Sequence, residues 1–400
     1  MKIEFTDLTL DGVQKRVEDW LDQNWDAERG CRKGQSTFNK QSWFTMVRDA
    51  GLAVPTWSTD WFGLGLKPAL TRAIERAFRS RNAPGAGQDR FHLGAVTVYR
   101  LGSEALKKEL LPGLLAGQSN CLLYSEPGAG SDLAGVRTRA DKDGDDYVIN
   151  GQKIWTSNAK EATFGMLLAR TDWDKPKHKG ISFFVFPMKQ DGVDIRPINQ
   201  ITGESEFNEV FITDARVPAR YIVGELNEGW QVLQTALAYE RLIMGEGAAQ
   251  GRRRKNHSAR PELIEYAERN GALHDPHMRQ KLAQALAYRQ LNALNLKRAK
   301  NEIVTNGSSS LMSLGKLAMS RVQHGEAKLM AEMLGSNSLL DSDAFPDSEM
   351  MNFNSAKAYM NSIGGGTDQI QRNIIAERVL GLPREVEIDR DIPFRDVKGG

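Results

Sequence analysis

The spacing of apolar residues changes twice along the chain. Before Cys121, apolar side chains recur at intervals of three and four, as in residues 16–25 (RVEDWLDQNW) and 66–78 (LKPALTRAIERAF), which predicts helices. From Cys121 the pattern becomes one of short β-prone runs separated by turn residues, and long helical patterns return from Asn227. The sequence therefore predicts a mainly α protein with a central β-domain. The predicted domains are a helical domain at 1–120, a β-domain at 121–225 and a helical bundle at 226–400.

Within the predicted β-domain, the dipeptide Asn150-Gly151 lies between two β-prone runs, residues 147–149 (YVI) and 153–155 (KIW). Asn and Gly tolerate the positive φ angles that a two-residue hairpin turn requires. This pattern therefore predicts a hairpin that turns at Asn150-Gly151.

Three consecutive glycines, residues 364–366, lie directly before the predicted start of the last helix. Thr367 is suited to the N-cap and Asp368 to the first turn, and Gly381 with Pro383 favours a stop. A helix start has unpaired N–H groups and partial positive charge, and glycine allows a ligand to approach the backbone closely. The stretch is therefore typical of a site for an anionic group.

A second glycine-rich stretch, residues 125–135 (SEPGAGSDLAG), lies at the entry to the predicted β-domain. The backbone at Gly128 and Gly130 and the hydroxyls of Ser125 and Ser131 offer hydrogen bonds with little steric cover. Such a loop suits a phosphate or the polar edge of a ring. By itself, the same stretch is equally typical of a solvated β-turn.

The composition argues against several classes of partner. The chain has 53 basic and 51 acidic residues and a net charge of +2, so it offers no bulk attraction for nucleic acid or a membrane surface. Two cysteines are too few for a disulfide framework, and the six histidines show no metal-ligand spacing. The first residues lack a basic and then apolar signal, and no run of about 18 apolar residues occurs. These features predict a cytoplasmic protein without a membrane span or a metal.

Four segments, taken in order, resemble the acyl-CoA dehydrogenase family. They are residues 122–140 (LLYSEPGAGSDLAGVRTRA), 147–159 (YVINGQKIWTSNA), 208–230 (NEVFITDARVPARYIVGELNEGW) and 364–384 (GGGTDQIQRNIIAERVLGLPR). The resemblance implies a helical N-terminal domain, a β-barrel-like middle domain and a C-terminal four-helix bundle that assembles four subunits. It also implies an FAD that lies between domains and reaches a neighbouring subunit, an acyl-CoA substrate, and an electron-transfer flavoprotein as electron acceptor.

The resemblance also implies roles for individual residues. Leu123 and Ser125 match contacts to the pyrimidine side of the flavin, and Trp155 matches a tryptophan beside the flavin ring. Ser157 matches a hydroxyl that bonds flavin N5. The remaining matches to FAD contacts are Gly130, Ser131, Thr367 and Gln369, and the matches to acyl-CoA contacts are Ser131, Arg241 and Gly366.

The chain departs from the family pattern at the catalytic base. Many members have a glutamate immediately before Gly-Thr, which removes the α-proton, and here that position is Gly365. Gly365 cannot be a base, although its N–H could help to hold the thioester oxygen as negative charge develops.

Glu240 is the alternative base. On a helix with 100° per residue, counted from Trp230, Glu240 falls at about 280°, beside Leu233 at about 300° and Met244 at about 320°. A carboxylate at the edge of an apolar face is desolvated, which raises its pKa towards neutrality and favours a general base. Some subfamilies carry their base in a similar Glu-Arg-Leu stretch. The other interpretation is a core glutamate paired with Arg241 or another cation.

Two usual contacts to a neighbour's FAD are missing. The family's Arg-x-x-Phe-Gly stretch has no match, because Arg269 is followed by Asn270-Gly271 at a different spacing. The family's Gln-x-x-Gly-Gly appears with Glu332 in place of the glutamine, which faces phosphate less favourably. These losses favour an α2β2 assembly in which this chain is the base-bearing subunit. The alternative is a homotetramer with altered FAD contacts.

Competing functions remain open from the sequence. The leading hypothesis is dehydrogenation of an acyl-CoA to a trans-2-enoyl-CoA, and an acyl-CoA oxidase that uses O2 would share the fold. The basic residues 252–255 (RRRK) are the sole support for a DNA-associated alkylation-response flavoprotein. A non-catalytic partner subunit would explain Gly365 but leaves Glu240 unexplained. Acyl chain length and branching cannot be predicted from these patterns.

Overall fold

The computed structural model describes residues 2–237, 239, 263–306, 309, 311–340, 345–387 and 389–397. The chain divides into two compact units. The first comprises residues 1–198, 206–239 and 389–400, and the second comprises residues 199–205 and 240–388. No helix in these described ranges has both the length and the apolar character that crossing a bilayer requires.

Six helices and a two-stranded ribbon form the N-terminal part of the first unit. Their bounds are Leu10–Asn24 (α1), Trp25–Asp26 (β1), Cys31–Arg32 (β2), Lys40–Asp49 (α2), Pro68–Ser80 (α3), Gln88–Phe91 (α4), Leu93–Leu101 (α5) and Glu104–Leu115 (α6). Pro68 begins α3, where its missing N–H costs nothing. Residues three and four apart on α3, such as Ile74, Ala77 and Phe78, form its buried face. The helices predicted before residue 120 are confirmed.

A curled sheet of seven strands follows in the same unit. The strands are Asn120–Leu123 (β3), Arg139–Asp143 (β4), Asp146–Ser157 (β5), Phe164–Arg170 (β6), Ile181–Pro187 (β7), Val193–Pro197 (β8) and Phe207–Pro218 (β9). Their hydrogen-bonded order is β3-β6-β4-β5-β9-β8, with β7 paired to β6. Every residue of β7 up to Phe186 is buried, so this strand lies inside the core rather than on a solvated face.

The prediction of a hairpin turn at Asn150-Gly151 is wrong. β5 continues through this dipeptide, and the β4–β5 hairpin turns instead at residues 143–146, where Gly144 has φ +59°. Asn150-Gly151 is a bulge against β9, in which Asn150 exchanges two hydrogen bonds of 2.9 Å with Asp214. A Cβ on Gly151 would lie 2.5 Å from the Thr138 hydroxyl oxygen, so the glycine serves close packing rather than a turn.

The first unit ends with a helix and a returning segment. Residues 229–237 form helix α7, in which Val232, Leu233 and Ala236 are buried in the core of this unit. Residues 389–397 pack in the same unit.

Helices form the second unit. They are Leu263–Arg269 (α8), Pro276–Asn306 (α9), Leu311–Leu334 (α10), Pro346–Ile363 (α11) and Asp368–Arg378 (α12). α10 contacts α9, α11 and α12, and the core includes Tyr266, Leu329 and Met330. The predicted fold class, mainly α with a central β region between helical parts, is confirmed.

Candidate functional site

The glycine-rich stretch after β3 is an open loop on the surface of the first unit. Leu123, the last residue of β3, is fully buried, and the chain leaves the sheet after it. Glu126 and Ala129 exchange two backbone hydrogen bonds of 3.1 and 3.0 Å, which closes a tight turn. A Cβ on Gly128 or Gly130 would have no neighbour within 4 Å, so the backbone there is accessible. The backbone of residues 124–138 can therefore present N–H groups to a phosphate or a ring edge. We call these residues the cofactor loop, after the role that the sequence resemblance implies.

A buried ion pair fixes both ends of the cofactor loop. The Glu126 carboxylate accepts hydrogen bonds from the backbone N–H of Arg137 at 2.7 Å and of Thr138 at 2.9 Å. It also accepts one from the Lys153 ammonium at 2.8 Å. Lys153 is fully buried and donates to the carbonyls of Tyr124 at 3.0 Å and Leu168 at 2.7 Å. One carboxylate and one ammonium thus hold the start and the end of the loop against the sheet.

The electrostatics keep Glu126 ionised. Burial alone would raise the pKa of Glu126, but the Lys153 charge and the hydrogen bonds to the carboxylate outweigh it and lower the pKa. Burial lowers the pKa of Lys153, and the Glu126 charge opposes that shift. A buried carboxylate and a buried ammonium stay compatible with folding because each satisfies the other.

A second bulge in β5 presents Trp155. The pairing of β5 with β9 shifts register between Lys153 and Thr156, and Trp155 has φ +61°, which is strained for a residue with a side chain. Trp155 is 57% exposed, and its ring packs edge-on against the ring of Phe207 with 6.3 Å between the ring centres. An indole held outwards by a strained backbone indicates a surface that serves a ligand.

The structure brings this bulge together with the cofactor loop. The N–H of Ile154 donates to the carbonyl of Ser125 at 3.0 Å, so the residue before Trp155 is bonded to the loop. Ser157 ends β5 and is exposed, and Ser131 is exposed on the loop. The first unit therefore offers the exposed ring of Trp155, the open backbone of the loop, and the hydroxyls of Ser131 and Ser157. A ring face suits the flavin ring, and N–H and hydroxyl groups suit its phosphates and polar edge.

In the second unit, the three glycines make the turn between α11 and α12. Gly365 and Gly366 have φ +66° and +90°, a backbone region that favours glycine. The side chain of Gln371 is buried and donates to the Gly365 carbonyl at 3.4 Å. A Cβ on Gly366 would lie 2.8 Å from the Gln371 amide nitrogen. The positive φ at residue 366 therefore favours glycine, and a side chain there would displace the amide of Gln371.

The predicted start of α12 is confirmed. The Thr367 hydroxyl accepts a hydrogen bond of 3.1 Å from the N–H of Ile370, as an N-cap does. The Asp368 carboxylate accepts hydrogen bonds from Lys316 at 3.1 Å and from Ser320 at 2.8 Å on α10. These bonds fix the helix start, and the side chain of Gln369 is left exposed.

Glu240 and Arg241 lie outside the described residues. The described part of the preceding helix agrees with the predicted apolar stripe, since Leu233 is fully buried and Leu237 packs against the same core. The position of Glu240 on that stripe remains a prediction.

The two charged residues at the altered family contacts are paired within the second unit. Arg269 on α8 forms an ion pair with Asp347 on α11 at 3.0 Å. Glu332 on α10 forms an ion pair with Lys281 on α9. Each of the two charges is therefore engaged by a neighbour in the same unit.

The sequence motifs do not indicate Glu126 or Lys153. One signal was present, because Tyr147, Ile149 and Lys153 are all inward-facing residues of β5. A lysine at an inward position of a strand requires a buried acid as its partner. The identity of that acid depends on the packing of the loop.

Comparison with known families gives two matches along the chain. Residues 121–215 match the acyl-CoA dehydrogenase middle domain, and residues 227–380 match the acyl-CoA dehydrogenase C-terminal domain. The acyl-CoA dehydrogenase IpdE1 of Mycobacterium tuberculosis is 34% identical over 396 residues, which cover 94% of this chain and 99% of that protein.

Two solved structures at 25% identity have the same fold. The ChsE4-ChsE5 complex from Mycobacterium tuberculosis matches with a TM-score of 0.68 and covers 96% of this chain and 100% of that chain. A variant of the Tcur3481-Tcur3483 steroid ACAD matches with a TM-score of 0.70 and covers 94% of this chain and 99% of that chain.

Proposed function

The chain belongs to the acyl-CoA dehydrogenase family, and we propose that it oxidises an acyl-CoA thioester to a trans-2-enoyl-CoA. It is a flavin-dependent oxidoreductase with FAD as its cofactor. The observation that best supports this reaction is the exposed Trp155, at a strained bulge that is hydrogen-bonded to the open loop of Ser125. The sequence resemblance implies that these positions contact the flavin.

We assign the cofactor contacts within each unit. In the first unit, Leu123, Ser125 and Ser157 would meet the flavin through backbone and hydroxyl groups, and Trp155 would pack beside its ring. Gly130 and Ser131 would meet the pyrophosphate, where an open backbone and a hydroxyl can donate hydrogen bonds. In the second unit, Thr367 and Gln369 at the start of α12 would contribute further contacts.

The reaction requires the removal of a weakly acidic α-proton. We assign Glu240 as the general base that takes this proton, and FAD, when bound, would supply the acceptor for the β-hydrogen as hydride. The N–H of Gly365 stabilises negative charge on the thioester oxygen, which lowers the barrier to proton removal. Ser131, Arg241 and Gly366 contact the acyl-CoA.

We propose an electron-transfer flavoprotein as the electron acceptor. Turnover with that protein under air, without stoichiometric peroxide, supports this acceptor. Peroxide formation at the rate of substrate oxidation would instead indicate an oxidase.

We further propose that the working assembly is an α2β2 heterotetramer with a related subunit. The support within the chain is that Arg269 and Glu332 are engaged by Asp347 and Lys281. A neighbour's FAD would therefore obtain its arginine and glutamine contacts from another subunit. The ChsE4-ChsE5 and Tcur3481-Tcur3483 structures are named for two different chains, which agrees with this proposal.

Anaerobic titration of the purified flavoprotein tests the reaction. A panel of straight-chain, branched and steroid-derived acyl-CoA thioesters should contain a member that bleaches the flavin absorbance and yields the trans-2-enoyl-CoA. Steroid-derived thioesters are included because one structural neighbour is named a steroid ACAD. Flavin that is reduced by dithionite but by none of the thioesters would refute the proposal.

A further inference from the structure

The guanidinium of Arg170 holds the second half of the cofactor loop. Arg170 is fully buried at the end of β6, and its guanidinium donates to the carbonyls of Ala134 at 2.7 Å and Val136 at 3.2 Å. It also donates to the carbonyl of Lys177 at 2.8 Å. In the described part of the chain, no carboxylate oxygen lies within 4.0 Å of this guanidinium. The carboxylates of Glu126, Asp132 and Asp172 attract it only at longer range, so its direct contacts are with uncharged groups.

Phe394 supplies one of those groups. Its ring is 2% exposed, and the guanidinium carbon of Arg170 lies 3.6 Å from the ring centre. Arg137, which belongs to the cofactor loop, has its guanidinium carbon 5.2 Å from the same ring centre. The negative face of an aromatic ring stabilises a cation, and more strongly when water is excluded. Burial lowers the pKa of Arg170 to about 10, and the charges of nearby carboxylates oppose this shift, so the guanidinium is charged near neutral pH. The ring and the carbonyls are the groups in direct contact with it, and they hold it in place.

The segment that carries Phe394, residues 389–397, is fixed to the loop between β6 and β7. The N–H of Phe394 donates to the carbonyl of Lys175, and that of Arg395 to the carbonyl of Trp173, both at 3.0 Å. The ring of Trp173 packs on Phe394 with 5.5 Å between centres. The segment therefore has its own backbone anchor and does not depend on Phe394 alone to reach Arg170.

Lys177 provides a second link between this segment and the cofactor loop. Its ammonium lies 3.9 Å from the Asp389 carboxylate and 3.4 Å from the Asp132 carboxylate, and Asp132 lies next to Ser131. The Lys177 side chain is 11% exposed, but the Asp132 carboxylate is 64% exposed, so solvent screens this pair and the link is weak.

We propose that residues 389–397 position the cofactor loop: Phe394 covers the Arg170 guanidinium, which fixes the carbonyls of Ala134 and Val136 and so strengthens FAD binding. Phe394 is a positioning residue, because it acts through Arg170 and does not touch the cofactor itself. The part of this inference that concerns FAD rests on the proposed function, which assigns Gly130 and Ser131 to the cofactor.

Two measurements on the full chain test the inference. Hydrogen exchange of the loop amides, residues 124–138, reports positioning without any cofactor, and fluorescence titration of the apoprotein reports the dissociation constant of FAD. Phe394→Ala should raise exchange in the loop severalfold and raise the dissociation constant about tenfold, as expected when a desolvated cation–π contact is lost. Phe394→Leu keeps apolar cover without a ring face and should give an intermediate effect.

Arg395→Ala is the matched control. It lies next to Phe394, but its side chain is 55% exposed and pairs with Asp174 at the surface, so both readouts should stay at wild-type values. In an Arg170→Lys background, Phe394→Ala should add little to either readout, because the planar guanidinium through which Phe394 acts is already gone.

Three results overturn the inference. Unchanged exchange and unchanged FAD affinity in Phe394→Ala would refute it. Exchange that rises equally in the β8–β9 pairing, residues 193–197 and 207–218, would show a general loss of stability instead of positioning. Faster loop exchange with wild-type FAD affinity would refute the link to the cofactor. Wild-type protein that binds no FAD even when it is co-expressed with a related subunit would refute the proposed function instead, and the exchange of the loop would then decide the positioning role alone.

Discussion

The Lys153 ammonium lies 2.8 Å from the Glu126 carboxylate, and the two side chains are 0% and 9% exposed. The pair bonds the backbone of Tyr124 and Leu168 on one side and that of Arg137 and Thr138 on the other. It therefore joins the cofactor loop to β5 and β6 beneath the surface that carries Ser125 and Trp155. The geometry of that surface therefore depends on a buried ion pair.

Removal of one partner should strongly destabilise the first unit. Lys153→Met leaves the Glu126 carboxylate buried without its cation, which costs about 3–5 kcal/mol in comparable sites. The midpoint of thermal unfolding should fall clearly, whereas Lys160→Met, at an exposed position, should leave it unchanged. The double variant Glu126→Leu with Lys153→Met should recover part of the loss, and an unfolding midpoint for Lys153→Met equal to the wild type would contradict this account.

The pair of Glu126 and Lys153 also predicts that the stability of the folded chain falls at acidic pH. The pKa of Glu126 in the folded chain lies below its ordinary value of 4.5, so the unfolded chain binds a proton there first. The stability that Glu126 contributes is present above pH 4.5 and is lost as the pH falls through the folded-state pKa. The difference in unfolding midpoint between the wild type and Glu126→Gln should therefore shrink between pH 5 and pH 3. A difference that stays constant or grows over this range would show that the carboxylate is not ionised in the folded chain.

Substitution of Trp155 should weaken FAD binding without lowering the unfolding midpoint of the apoprotein. Because its φ is +61° and its ring is 57% exposed, Trp155→Gly relieves backbone strain and loses little burial. We expect an unfolding midpoint of the apoprotein that is unchanged or slightly higher, together with weaker FAD binding. Trp155→Phe keeps a ring and should bind FAD more tightly than Trp155→Gly. Equal FAD affinity in all three chains would remove Trp155 from the cofactor site.

The isolated chain should be incompletely loaded with FAD. Because Asp347 pairs with Arg269, Arg269→Ala should leave the FAD content unchanged. Co-expression with a related subunit that carries the missing arginine should raise the FAD content towards full occupancy of the FAD sites. Absorbance and native mass measure this content. A homotetramer with one FAD per chain would rule out an obligatory partner.

The parts of the fold that depend on neighbouring residues could be predicted from the sequence. Helical periodicity located the α1 and α3 helices, and the Thr367 cap located the start of α12, because capping is decided within four residues. The order of helical, β and helical parts followed from the same periodicities.

The parts that depend on distant residues could not be predicted. Asn150-Gly151 has the local chemistry of a turn, but Asp214 on β9 and Thr138 make it a bulge. The partner of Lys153 and the ring over Arg170 likewise come from segments that only the folded sheet brings near. The roles of Glu240 and Arg241 rest on the sequence alone, since both lie outside the described residues.

The most direct test of the proposed reaction is anaerobic reduction of bound FAD by an acyl-CoA thioester, in wild-type, Glu240→Gln and Glu228→Gln chains. Glu228 is an exposed glutamate just before helix α7, so the flavin of Glu228→Gln should be reduced at the wild-type rate. We predict that Glu240→Gln keeps its FAD but is reduced roughly a thousandfold more slowly or worse, as expected when a general base is removed. Reduction of the Glu240→Gln flavin at the wild-type rate would contradict the account, because the α-proton would then have another acceptor.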